Sequence, residues 1–97
     1  MGYRLTFNAQ RDFENIGDYI ASHSPRAAAA LAMQFMDKWD VLAAHPYSGQ
    51  AAENIAPDLR RLVMGEYAAF YRVSDGDVVI VRILHGRRDF SSENFSE

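Results

Sequence analysis

Residues 59–89 read LRRLVMGEYAAFYRVSDGDVVIVRILHGRRD, and this stretch decides the fold. Val63, Phe70, Tyr71, Val73, Val78, Val79, Ile80, Val81 and Ile83 are the β-branched and aromatic types that suit a pleated, packed surface. Asp75-Gly76, set between Val73 and Val78, is a strong hairpin signal, because both central positions of the favoured tight turn take φ > 0 and Asp and Gly tolerate that best. A two-residue loop there sets Arg72 opposite Val79 and Ala69 opposite Arg82, which places the two arginines on opposite faces. Gly65-Glu66 predicts an earlier turn. The stretch therefore reads as an up-down-up antiparallel meander.

Outward from the meander the pattern turns helical. Tyr3, Leu5 and Phe7 alternate with Arg4 and Thr6, the period of a half-buried strand. Asn8 then suits a helix N-cap, with Asp12 and Glu14 where the helix dipole favours acids. Phe13, Ile16 and Ile20 share one face of a helix running to about Ser22, and Asp12, Glu14 and Asp18 are expected to face water. Gly17 in its middle costs roughly 1 kcal/mol relative to alanine. Ser24-Pro25 restarts the chain as cap and first helical residue. Ala28, Leu31, Ala32, Phe35, Trp39, Leu42 and Ala43 form the apolar stripe of a second helix, with Met33, Met36 and Val41 expected to widen it into the core. The alanine run at 27–30 allows close approach, so the two helices are expected to form an antiparallel hairpin on one sheet face. His45-Pro46 ends the second helix. From there to Pro57 a connecting loop with one helical turn is expected. The order is β-α-α-β-β-β, an α+β fold with an antiparallel-dominated sheet.

Ninety-seven residues, 48 % hydrophobic and 24 % charged, make one small globular domain. Residues 90–97, FSSENFSE, read as a flexible or partner-docked tail. With no cysteine there is no disulfide and no thiolate metal site; no metal or cofactor is expected. No signal-peptide pattern opens the sequence and no apolar run nears the roughly 18 residues of a membrane span, so a cytoplasmic protein is expected. The net charge of −3 argues against a general nucleic-acid binder, and the chain alone is expected to form no stable nucleic-acid complex. Yet the charge is uneven. Arg60, Arg61, Arg72, Arg82, Arg87 and Arg88 face only Glu66, Asp75 and Asp77 in their region, which holds no lysine. Arginine without lysine points to sites that use the planar fork for carboxylate, phosphate or stacking contacts.

The same order of elements, with HPYSGQ after the second helix, LRRLVMGEYAAFYRV in the middle and VRILHGRRD at the end, resembles the ParE branch of the RelE/ParE toxins of bacterial type II toxin–antitoxin systems. The resemblance runs from Tyr3 to about Asp89 and rests on Pro46 with Gly49, Leu59-Arg60, Tyr67, Tyr71-Arg72 and Leu84 to Asp89 in that order and spacing. It implies a toxin held inactive in a hetero-oligomer by a ParD-like antitoxin whose C-terminal segment wraps it. ParE-like members are similar to one another in poisoning DNA gyrase. The RelE-like branch instead cleaves messenger RNA on the ribosome, and fold alone does not choose between them.

A metal-free ribonuclease needs a base, several cations and an acid close together. His85, Arg61 and Arg82 are the candidates if this chain is one. RelE-like nucleases tend to carry lysines in the middle strands and a tyrosine or histidine–tyrosine pair near the C-terminus. Here the last tyrosine is Tyr71, the only lysine is Lys38, and Phe90 and Phe95 cannot donate a proton. Binding is therefore the favoured reading over catalysis. Arg60, Arg61, Arg72, Arg82, His85, Arg87, Arg88 and Asp89 are the expected antitoxin- or target-binding residues, with Arg60 and Arg61 on opposite strand faces. His85 is alternatively a strand-end histidine paired with Asp89. A third reading is a non-toxic member that binds antitoxin and acts only in autoregulation.

Overall fold

In the computed structural model, which describes residues 2–86, the turns expected from Gly65-Glu66 and Asp75-Gly76 both form. Asp75 and Gly76 have φ of 52° and 82° and close Ser74 against Asp77. Gly65, at φ 64°, helps close Met64 against Tyr67. The elements are β1 (Tyr3–Leu5), α1 (Phe7–Ala21), α2 (Pro25–Ala44), β2 (Gln50–Ala51), β3 (Arg60–Met64), β4 (Tyr67–Ser74) and β5 (Asp77–His85). The sheet order is β1-β5-β4-β3-β2. β1 runs parallel to β5 and every other pair is antiparallel. The α+β class and the helical hairpin are as expected. β2 is an addition, a two-residue edge strand within the expected connecting loop. The expectations for Arg87, Arg88, Asp89 and residues 90–97 lie outside the described residues.

Register departs from expectation partway along the last hairpin. Arg72 does face Val79, but between Phe70 and Tyr71 the pairing shifts: Tyr71 faces Ile80 and Phe70 faces Arg82. Val81 is the extra residue of a β-bulge. Arg82 thus lies opposite Phe70 and not Ala69, whose partner is Ile83. The same shift sets His85 opposite Tyr67, where an unbroken ladder places Leu84.

The bulge lies where β5 outruns β1. β1 ends at Leu5, so beyond Ile80 that edge of β5 has no strand partner, and α1 covers it instead. The Thr6 N–H donates to Ile80 O at 2.9 Å and its hydroxyl to Val81 O at 2.9 Å. The same hydroxyl accepts from the Ala9 N–H at 3.1 Å, so Thr6 is the N-cap of α1 and Asn8 is not. Phe7 consequently leaves the strand pattern and is an exposed first residue of the helix. No acid lies in the first turn. Asp12 turns inward to β5 while Glu14 and Asp18 face water.

Ser24 caps α2 as expected, accepting from the Ala27 N–H at 3.2 Å, with Pro25 as first residue. Phe35, Trp39 and Leu42 are buried against the sheet, with Phe13 and Tyr3 packed on the Trp39 ring. Met33, Met36 and Val41 do not join them; they stand on the outward side, 63 %, 40 % and 54 % exposed. The geometry explains this: at 100° per residue Met33 lies about 200° around the helix from Phe35. On the opposite sheet face a second core of Ala52, Ala56, Leu59, Ala68, Phe70, Val81 and Leu84 lies under the 52–59 segment. That segment carries the expected single turn, with Ile55 and Ala56 N–H groups donating to Ala52 O.

Candidate functional site

The segment after α2 is fastened to the middle of the sheet by the motif residues. The Tyr71 hydroxyl, fully buried, donates to Pro46 O at 2.8 Å and accepts from the Gly49 N–H at 3.0 Å. A Cβ built on Gly49 would lie 2.5 Å from that hydroxyl and 2.8 Å from Arg61 O. Only glycine fits there. Arg60 Nη2 donates to Tyr47 O at 2.9 Å and to Gly49 O at 2.6 Å, and its guanidinium lies 5.3 Å from the Tyr47 ring centroid.

The remaining arginines separate. Arg61 reaches Gln50 Oε1 at 3.3 Å on the sheet face opposite Arg60. Arg72 Nε donates to Pro57 O at 3.3 Å on the face covered by the 52–59 segment. The Nε atoms of Arg60 and Arg61 are buried without a hydrogen-bond acceptor. Arg82 turns to α1: its Nε and Nη2 donate to Asp12 Oδ2 and Oδ1 at 2.6 and 3.0 Å. The hydrogen bonds it donates to Asp12 raise the guanidinium's pKa further, against the opposing effect of burial. Asp12 was invisible as a partner in the sequence, since only the bulge and the end of β1 bring it there.

At the Glu66 turn the structure assembles a different group. His85 packs edge-on against Tyr67 at 5.4 Å between centroids, and its Nε2 lies 3.9 Å from Glu66 Oε1. Glu66 is the carboxylate near His85 among the described residues. The Tyr67 phenol is pushed above its usual range by burial, with Glu66 and Tyr19 adding to the shift. A histidine–tyrosine pair therefore exists in space although the two residues lie far apart in sequence. Counting the turn and the bulge together locates it. Along β4, Arg72 lies five residues from Tyr67, about 16 Å away, so the arginine-rich end and the His85 end are distinct.

At the arginine-rich end β4 continues past its last β3 pair, Arg60 with Tyr71, and a cleft of about 500 Å³ opens beside the overhang, lined by Arg4, Tyr47, Arg60, Arg72 and Ser74 among others. In the sequence Arg4 carries no signal beyond its place in the alternation of the first strand. Near it the Gly2 N–H donates to Asp77 Oδ1 at 2.9 Å and, with Arg4's charge adding to the effect, holds that carboxyl below its usual range. On the helical hairpin a smaller groove of about 240 Å³ lies between Phe13, Ile16 and Gly17 of α1 and Ala28, Leu31 and Ala32 of α2. Nothing lies within 4 Å of a Cβ built on Gly17. No helix among the described residues is long and apolar enough to cross a membrane.

The site thus presents a helical hairpin with an apolar groove, packed on a small mixed sheet with arginines along its exposed end, in an α+β fold. The family model for the ParE toxin of the type II toxin–antitoxin system parDE matches residues 3–90; the chain belongs to this family. It is 39 % identical over 83 residues to Toxin RelE2 of Caulobacter vibrioides, covering 86 % of this chain and 92 % of that one. With Toxin ParE1 of the same organism it shares 34 % over 84 residues, 86 % of each. The fold matches the chromosomal ParDE system of P. aeruginosa with a TM-score of 0.73 at 24 % identity, over 88 % of this chain and 95 % of that one. It also matches the toxin–antitoxin complex RelBE2 of Mycobacterium tuberculosis, with a TM-score of 0.61 at 25 % identity over 87 % and 95 %. The chain is thus the toxin of a type II toxin–antitoxin pair, and the relatives carry both ParE and RelE names.

Proposed function

We propose that this toxin inhibits DNA gyrase and is neutralised by a ParD-like antitoxin, acting by binding and not by cleaving RNA. The supporting observation is the dispersal of the cations among the described residues. A metal-free ribonuclease needs several positive groups around one phosphate beside its base and acid. Around His85 the described residues offer Tyr67 and Glu66, while Arg82 is held by Asp12, Arg60 by loop carbonyls and Arg72 lies at the other end of the sheet. In this reading the antitoxin lays apolar side chains into the groove between α1 and α2 and acidic groups onto Arg61. The His85 end, with Arg87, Arg88 and Asp89 following it, contacts the target.

The test is induction of the chain alone in a bacterium, with pulse labelling of DNA and protein over the first minutes. An early fall in DNA synthesis, reversed by co-expressing the antitoxin, supports the reading. An early fall in protein synthesis overturns it, and no growth arrest at all favours the non-toxic regulator.

One observation favours a second reading. The Tyr67–His85 pair supplies the acid–base partners that the linear sequence lacked, so a RelE-like endoribonuclease remains the alternative. Messenger RNA cleaved on ribosomes by the wild type, and not by His85→Ala, would establish it.

A further inference from the structure

We propose that the cleft at the Asp75-Gly76 end of the sheet binds a mononucleotide by its phosphate. Arg4 of β1 and Arg72 of β4 are both direct partners of Val79 in β5, so all three side chains share one face. Two strand spacings separate the arginines, about 10 Å between Cα atoms, with the buried Val79 as floor between them. Long flexible forks at that separation converge on a phosphate placed above Val79, each able to make two parallel hydrogen bonds.

Arg60, paired with Tyr71 and so set on the opposite sheet face from Arg72, lines the rim of the cleft where β3 begins. Its hydrogen bonds to Tyr47 O and Gly49 O fix the guanidinium, which in turn holds the Tyr47 ring, itself 69 % exposed. The ring offers a flat surface on which a base stacks. Among the described residues no carboxylate lies within ion-pair distance of Arg4, Arg60 or Arg72. Glu53 and Asp58 also line the cleft. These two acceptors decide the class of ligand. They repel any anion alike, but a nucleotide brings ribose hydroxyl donors for these carboxylates beside its phosphate for the arginines, whereas an oligoglutamate brings no side-chain donor. A volume near 500 Å³ suits a small molecule of that size, and inorganic phosphate fills only a corner of it.

The purified full chain would be titrated with AMP, adenosine, inorganic phosphate and a short oligoglutamate, using calorimetry and amide NMR. AMP is expected to saturate with shifts at Val73, Ser74 and Val79, and adenosine and phosphate to bind at least about tenfold more weakly. Arg4→Gln should weaken AMP by about tenfold or more without moving the unfolding midpoint, since no hydrogen bond of the Arg4 side chain supports the fold among the described residues. Tyr47→Ala should weaken AMP and leave phosphate unchanged. The proposal is overturned by absence of saturation with AMP into the millimolar range, by equal AMP binding to Arg4→Gln and wild type, by phosphate binding as tightly as AMP, or by oligoglutamate binding more tightly than AMP. The readout is binding to the chain itself, so it stands or falls independently of the cellular target.

Discussion

Asp12 in α1 and Arg82 in β5, 70 positions apart, form a two-point ion pair at 2.6 and 3.0 Å, and the same Asp12 oxygen that meets Arg82 Nε accepts the Ile83 N–H at 3.0 Å. With side chains 19 % and 15 % exposed, the pair closes the part of the β5 edge that β1 leaves open. Removing one partner strands the other charge in a half-buried place. Asp12→Ala is expected to cost about 2 kcal/mol, and Asp12→Asn less, because the amide oxygen still serves Ile83. Urea unfolding of both variants measures this; equal losses would show that the backbone hydrogen bond contributes nothing.

Thr6 does two jobs with one hydroxyl, capping α1 through Ala9 and closing the β5 edge through Val81. Thr6→Ala should therefore destabilise by about 1–2 kcal/mol, while Asn8→Ala should stay within about 0.5 kcal/mol. A larger loss from Asn8→Ala, read by thermal melting, would return the cap to the residue that the sequence pattern favours.

The helices, the turns and the sheet order of the meander were legible because each is a local signal: Ser24-Pro25, Asp75-Gly76, the stripe from Ala28 to Ala43. The motif residues Pro46, Gly49, Arg60 and Tyr71 were legible as a set, and the structure joins them by hydrogen bonds. What escaped depends on long-range geometry. No local pattern marks Val81 as a bulge, so the partners of Arg82 and His85 were misplaced, and with them the contacts of Asp12 and Tyr67. The early end of β1 was equally hidden, since Phe7 continues the alternation and only the capping role of Thr6 breaks it.

Gly49 and Tyr71 form a size-restricted joint. Tyr71→Phe leaves the Gly49 N–H and Pro46 O without their buried partner and should cost about 1–3 kcal/mol. Gly49→Ala should cost at least as much, because the new methyl meets backbone as well as the ring. The double variant should not recover stability, since Arg61 O and the ring edge stay within 2.8 and 2.9 Å of the added carbon. Recovery in chemical denaturation would mean that the hydroxyl alone sets the restriction.

Tyr67 gives a pH dependence of known sign. Burial, Glu66 and Tyr19 raise its pKa in the folded state, so folding favours the protonated phenol. The resulting stability is complete below the unfolded value near 10 and is lost as pH rises through the folded value. Ultraviolet titration should show two tyrosines ionising late, Tyr67 and Tyr3, the latter raised by burial and Asp40, and Tyr67→Phe should remove one of them and lessen the alkaline decline in stability. An early phase assigned to Tyr67 would contradict the environment. At neutral pH the group serves as a donor and not as a base, which also fixes its role if the chain proves to be a ribonuclease.

Gly17 separates stability from binding. With nothing within 4 Å of its Cβ position, the close packing that would justify glycine in mid-helix is absent, and Gly17→Ala should stabilise the chain by about 1 kcal/mol. The residue instead opens the apolar groove between α1 and α2. A bulky side chain there keeps the helix but fills the groove. Gly17→Leu is accordingly expected to retain the fold and weaken antitoxin binding by about tenfold or more, measured by calorimetry with the cognate antitoxin, while Gly17→Ala changes affinity little. Wild-type affinity in Gly17→Leu with an unchanged circular dichroism spectrum would move the antitoxin off this groove and leave the strand arginines as its principal contact.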